Sequence, residues 1–210
     1  MSLPTLDTQL KVASEAAQNF VDHYYESRTR RRPLAMFYAS ASPRLTGAGI
    51  KPDISVNGLA CADAGAYEAV LEAQGGPVTY DVASFDAQPV NAHYRVGEPD
   101  PPSGANGRDA IAAAAIVRSG DRISFAVQVT GTIRYTRDHT AGGENGNKPV
   151  APPPAPTPSS AFGDGKPEPD IPDQSFNEAF LLVPHWEAWA RNAPRNLRKW
   201  VIVSQNYRTL

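Results

Sequence analysis

The sequence predicts an α+β fold, with N-terminal helices packed on one face of an antiparallel sheet. Three observations predict it. Apolar residues recur every three or four positions as far as Gln74, they alternate singly from Val78 onward, and the helical stretches come first instead of interleaving with strands.

Leu6, Leu10, Ala13, Ala17, Phe20, Val21 and Tyr24 form one apolar stripe, which predicts a helix from Asp7 to about Glu26. A short second helix is expected from Pro33 to Ala39, with Pro33 tolerated in its first turn and Ser42-Pro43, Gly47 and Gly49 breaking the chain after it. Asp53 to Val56 reads as a strand entering an Asn57-Gly58 turn. A third helix is expected from Asp63 to Gln74, stopped by Gly75-Gly76-Pro77. Val78, Tyr80 and Val82 begin the strands. The clearest strand runs from Arg122 to Tyr135, with Ile123, Phe125, Val127, Val129, Ile133 and Tyr135 on one face and Ser124, Ala126, Gln128, Thr130 and Thr132 on the other. Phe176 to Val183 and Lys199 to Tyr207 are two more. Ala110 to Val117 mixes alanines that favour helix with Ile111, Ile116 and Val117, and a Ser119-Gly120-Asp121 turn after it tips the reading to strand.

The chain of 210 residues reads as a single domain over 1–210 with irregular inserts at 91–109 and 138–173; the second holds nine prolines between Pro149 and Pro172. Such an insert could serve as a docking arm, although its length and proline content equally describe a tolerated surface loop. Cys61 is the only cysteine, which excludes an intrachain disulfide and argues against a zinc site. Met1 to Lys11 lacks the apolar core of a secretory signal, and the longest apolar run, Ala110 to Val117, is far below the roughly 20 residues of a membrane span. A soluble protein of a reducing compartment is expected, with no membrane contact. Charge is uneven: residues 1–50 carry six basic and four acidic side chains and residues 185–210 five and one, while the middle is acidic. Basic ends permit weak phosphate contacts without demanding them.

Three stretches resemble the nuclear transport factor 2-like family. Tyr80 to Val90 is similar to its strand ending in Asp-x-Gln-Pro, here Asp86-Ala87-Gln88-Pro89. Phe176-Asn177-Glu178-Ala179-Phe180-Leu181 is similar to its Phe-x-Gln-x-Phe-x-Leu strand, with Glu178 where Gln is usual. Lys199 to Arg208 resembles its final strand, often ending Asp-x-Phe-Arg, with Gln205 and Tyr207 in place of Asp and Phe. Within the family, the proline-rich insert is most like the fungal small subunit of the mRNA export receptor. The resemblance implies a cone of helices on a curved antiparallel sheet. It implies a non-enzymatic subunit without cofactor or metal, paired with a larger export factor through that factor's domain of the same fold. It further implies passage of mRNA, and of pre-ribosomal particles, through pores lined by phenylalanine-glycine nucleoporins, with weak non-specific RNA contact. Shuttling between nucleus, pore complex and cytoplasm is expected. A homodimeric import factor of the same fold is an alternative that the long insert weighs against.

The residues carry the interface expectation independently. The second face of the 122–135 strand is small and polar instead of charged, and Leu181 and Val183 are opposite in parity to Phe176 and Phe180, so their strand is apolar on both faces. Gln88, Gln128, Thr130, Leu181, Val183, Trp200 and Arg208 are the partner-binding candidates, with ordinary core packing the competing role for Trp200. Arg28, Arg30, Arg31 and Arg32, and Arg195, Arg198 and Lys199 beside Trp186 and Trp189, are RNA candidates. A solvated helix end and a self-packed loop are the plainer accounts of the two clusters. Isomerases and dehydratases of the same cone use a buried Asp or His with a Tyr, so Tyr24, His23, Asp86 and His93 are the catalytic candidates of that alternative. Asp86 ends a strand and His23 lies on the polar side of its helix, which disfavours that alternative. An interior plugged by Phe20, Tyr24 and Phe125 would count further against it.

Overall fold

A computed structural model describes residues 3–73, 77–99, 117–135, 173–190, 192–195 and 197–210. Helix α1 (Leu6–Thr29) opens with Thr5 as N-cap, its hydroxyl accepting from the Thr8 amide. Arg31 takes a left-handed conformation (φ 49°) just past its end. The expected helix from Pro33 to Ala39 is instead two 3-10 turns, Ala35–Phe37 and Ala39–Ala41. Ser42-Pro43 starts a short helix, α2 (Pro43–Gly47), where a break was expected. Proline is favoured at the first helical position, and the Ser42 hydroxyl caps the Leu45 amide.

Strands β1 (Asp53–Val56) and β2 (Leu59–Cys61) form a hairpin whose turn residues, Asn57 and Gly58, both have positive φ. Helix α3 (Ala64–Ala73) follows, then β3 (Val78–Asn91), β4 (Ser124–Tyr135), β5 (Gln174–Pro184), a 3-10 turn (Trp186–Trp189) and β6 (Trp200–Thr209). The strands make one sheet in the order β2-β1-β6-β5-β4-β3. It is mixed, not wholly antiparallel, because β1 runs parallel to β6. That pairing was hidden because β1 and β6 are far apart in sequence and β1 has only 4 residues. Val117 is helical, not extended, and the rest of the 110–117 expectation lies outside the described residues, as do the 138–172 insert and Pro101–Gly107.

The inner face carries the main core. Phe125, Val127, Val129 and Ile133 of β4, with Phe176, Phe180 and Leu182 of β5, pack against Ala13, Ala17, Phe20, Val21 and Tyr24 of α1. Alternation placed these side chains correctly. Gly131 sits in this row because a Cβ there would collide with the Asp81 carbonyl oxygen and come 2.8 Å from Phe176 Cε1. A second cluster (Ala39, Leu45, Val183, Trp186 and Val201, flanked by Ile50, Tyr94 and Val203) lies at the Pro184–Val201 end of the sheet.

Candidate functional site

The opposite face of the sheet follows from the strand register. One row crosses five strands as Asp86, Gln128, Ala179, Asn206 and Ser55. On one side lie Ser84, Thr130, Asn177 and Arg208, and on the other Gln88, Ala126, Leu181, Ser204 and Asp53. Gln128, Ala179, Asn206, Gln88 and Arg208 are exposed, while Thr130 and Leu181 are half-buried. The face is held by its own polar contacts: Ser84 Oγ and Thr130 Oγ1 are 2.8 Å apart, and Gln88 Nε2 donates to Asp86 Oδ2 at 2.9 Å. The centre of the face is small and uncharged, and within these three rows charge is confined to Asp53, Asp86 and Arg208. Side chains this short let a second sheet approach closely and exchange hydrogen bonds at little cost in side-chain entropy.

Five of the seven partner-binding candidates, Gln88, Gln128, Thr130, Leu181 and Arg208, therefore share one surface. The other two do not. Val183 is 1% exposed beneath Leu45, Ala39 and Trp186. The register shifts between Leu181 and Leu182, leaving Val203 unpaired, and the chain's own α2 segment covers the face beyond the shift. Trp200 packs on the main core edge-on to Phe125 and Trp189, and its Nε1 donates to the Ile123 carbonyl at 2.9 Å.

The interior of the cone is filled. Phe20, Tyr24 and Phe125 are buried in it, with Phe20 and Tyr24 both edge-on to Phe180. Beside them lies a feature that the sequence reading missed. Arg28 is buried, not offered to RNA: its Nη1 meets Glu178 Oε2 at 2.7 Å, and both side chains are 0% exposed. Tyr25 also donates to Glu178 Oε2 at 2.6 Å. Gln205 Nε2 donates to Glu178 Oε1 at 2.6 Å and to the Tyr24 hydroxyl at 2.9 Å. Arg28 Nη2 donates to the Tyr80 hydroxyl at 2.9 Å, and the guanidinium carbon lies 4.1 Å from the Tyr80 ring centre and 4.8 Å from that of Tyr207.

The spacing that explains Arg28 was present in the sequence. It stands four residues after Tyr24 and seven after Val21, on the buried stripe, so the helix carries it inward while Arg30 and Arg32 turn out to Glu26. Glu178 is likewise in register with Phe176 and Phe180.

Burial pushes the Glu178 carboxyl up, while Arg28 and the hydrogen bonds from Tyr25, Gln205 and Tyr67 pull it back down. Burial opposes the charge on Arg28, but Tyr67, Glu178 and Tyr80 around it hold its pKa well above the ordinary value. Burial also raises Tyr24, Tyr25, Tyr38, Tyr67, Tyr80 and Tyr207 above the usual phenol. Their pKa values are higher folded than unfolded, so their contribution to stability is complete below about pH 10 and declines as pH rises above it. The expected alkaline titration therefore withholds the 295 nm absorbance of these six among the eight tyrosines until the chain unfolds, then shows a cooperative rise. A smooth, non-cooperative rise of all eight near pH 10, with the circular dichroism still native, would contradict this arrangement.

Of the remaining RNA candidates, Arg30, Arg31, Arg32, Arg195 and Lys199 are exposed. Arg198 is half-buried with its guanidinium 4.1 Å from the Phe37 ring centre, and Lys199 Nζ lies 4.7 Å from that of Trp189. The residues weighed for catalysis are not brought together. His23 and Asp86 are exposed, and His93 lies against Arg122 at 3.2 Å. The carboxyl that does share the interior with Tyr24 is Glu178, and Arg28, Tyr25 and Gln205 engage both its oxygens.

Helices closing one face of a six-stranded mixed sheet give the chain the nuclear transport factor 2-like α+β fold seen in solved Mtr2 structures. Within that class the chain is similar to Mtr2. A solved complex of a Sac3N peptide bound to Mex67:Mtr2 aligns with a TM-score of 0.68 at 26% identity, covering 94% of this chain and 99% of the matched one. The Chaetomium thermophilum Mex67 NTF2-like domain complexed with Mtr2 aligns with a TM-score of 0.67 at 26% identity, covering 94% and 98%. A structure of Mtr2, at a TM-score of 0.64, 24% identity and coverage of 94% and 99%, agrees in fold. No protein-family model matches the chain, and no curated protein matches it by sequence.

Proposed function

We propose that this chain is the smaller, non-enzymatic subunit of a heterodimeric mRNA export receptor. The larger subunit docks a nuclear transport factor 2-like domain on the outer sheet face. The observation that carries the reading is that face: five strands wide, uncharged at its centre and uncovered by any described part of the chain. A face destined for water would carry long charged side chains at Gln128, Ala179 and Asn206. The similarity to Mtr2 in its complexes with Mex67 supports the same arrangement.

On this reading the heterodimer shuttles between nucleus and cytoplasm through phenylalanine-glycine nucleoporins, carrying mRNA and also pre-ribosomal particles. RNA contact is weak and non-specific, resting on Arg30, Arg31 and Arg32 and on Arg195 and Lys199, whose exposure suits phosphate binding. Arg28 has no part in it.

Sedimentation of the chain alone and with a larger Mex67-type subunit tests the proposal. A single one-to-one species of the mixed sample is expected. A chain that remains monomeric beside every such subunit overturns the heterodimer, and stable self-association without one favours the homodimeric import factor.

A further inference from the structure

A groove of about 470 Å³ runs between the Val12–His23 side of α1 and the Leu197–Trp200 segment that leads into β6. Val12, Ala16, Leu197 and Trp200 form its apolar floor, and all four are half-buried, so they remain open to contact. From Val12 to His23 the helix wall rises about 16 Å, a length that about five extended residues cover.

Arg198 faces this groove without a counter-ion. It is half-buried, and its guanidinium carbon lies 4.1 Å from the Phe37 ring centre. Phe37 is edge-on to Phe20 and Tyr24, which sets Arg198 at the His23 end of the groove. Among the described residues no carboxylate forms an ion pair with it. Glu26, whose charge acts on it, is bonded to Arg30 at 3.0 Å. Burial lowers the Arg198 pKa, and Glu26 opposes that only in part. His23 turns its Nδ1 to the Asn19 carbonyl at 2.7 Å and supplies no negative charge. A partly desolvated cation that a ligand can still reach is completed by a charge-assisted hydrogen bond to a carboxylate.

The opposite end carries the acids of the groove. A Cβ at Gly120 would come 2.9 Å from Val12 Cγ2, so the neighbouring Asp121 stands at the Val12 end, as Glu15 does. Lys199 is turned aside over Trp189, its Nζ 4.7 Å from the ring centre. A run of phosphates laid along the groove would meet both acids, whereas one carboxylate at the His23 end meets neither.

We infer that this groove docks a short apolar segment of a partner protein bearing one acidic side chain, which Arg198 holds. The groove lies on the helical side of the sheet, away from the outer face, and its occupancy does not depend on a larger subunit docking there.

The test uses the full chain and the peptide acetyl-Leu-Ala-Leu-Ala-Glu-amide, followed by methyl and amide NMR, with a second peptide ending in Gln. The Glu peptide is expected to shift the Val12, Ala16 and Leu197 methyls and the Trp200 indole N–H saturably, with a Kd on the order of 1 mM. The Gln peptide should bind at least fivefold more weakly. Arg198→Gln should lower affinity for the Glu peptide to that of the Gln peptide and leave the Gln peptide unchanged, a coupling that a general loss of packing would not produce. The comparison of the two peptides on the parent chain keeps the test decisive if the variant unfolds. The inference fails if no saturable shifts arise at these residues, or if the parent chain binds both peptides equally. It also fails if a six-nucleotide oligouridylate moves the same resonances at lower concentration than the Glu peptide, which would make the groove an RNA contact.

Discussion

Replacing Arg28 with methionine is expected to destabilise the chain by about 3–5 kcal/mol in urea denaturation at neutral pH. Desolvating two ions is expensive, and the pair itself contributes little net stability, but removing one ion leaves the other buried without its counter-charge. In the variant, Glu178 keeps only the donors Tyr25, Gln205 and Tyr67. Its pKa, already raised by burial, rises further, so the carboxyl takes up a proton more readily folded than unfolded. A group with a raised folded pKa gives stability that is present at low pH and lost as pH rises through that value. The penalty in Arg28→Met should therefore shrink as pH falls towards the unfolded carboxyl value of about 4.3. The double variant Arg28→Met, Glu178→Leu should recover much of the loss. A single variant within about 1 kcal/mol of the parent would show that the pair is solvated in solution.

Substituting Ala179 with arginine is expected to reduce affinity for the larger subunit at least 100-fold by titration calorimetry. Ala179 stands in the middle strand of the central row, exposed, with Gln128 on one side and Asn206 on the other. A long cation placed there would be buried on docking with no acid beside it, at a cost of several kcal/mol. Because Ala179 faces away from the main core, the fold should be unaffected. Gln18→Arg, on the exposed side of α1, serves as the control and should leave affinity unchanged. Unchanged affinity in Ala179→Arg would remove the outer face from the heterodimer proposal.

Much of this architecture was legible in the sequence wherever one periodicity ran unbroken. The α1 stripe and the 122–135 alternation each placed a whole row of core residues. The outer face was legible for the same reason, since its members are the other half of that alternation. Errors arose where regularity breaks. The bulge that leaves Val203 unpaired follows no sequence pattern, and the covering of Val183 depends on packing with Ala39 and Leu45, far from it in sequence. The parallel β1–β6 pair depends on tertiary packing between segments far apart in sequence. Arg28 was misread for a different reason: it stands next to a run of exposed arginines, and composition outweighed its position on the stripe. Two of the three departures from the pattern that the sequence resembles are linked. Where the family has Gln and Asp, this chain has Glu178 and Gln205, which hydrogen-bond at 2.6 Å, so one carboxylate and one amide remain with the strands exchanged.

The place of β6 in the sheet bears on the order in which the protein can be made. The strand β6, which follows the other five in chain order, is an internal one, flanked by β1 and β5. Before it emerges, the β1–β2 hairpin has no neighbour in the sheet, and Gln205 and Tyr207 are missing from around the buried ion pair. Pairing Asp53 with Ser204 then closes a very long stretch of chain, which slows the search for the native topology. The sheet cannot reach its final form before β6 has emerged, so its unfinished edge needs shielding until then.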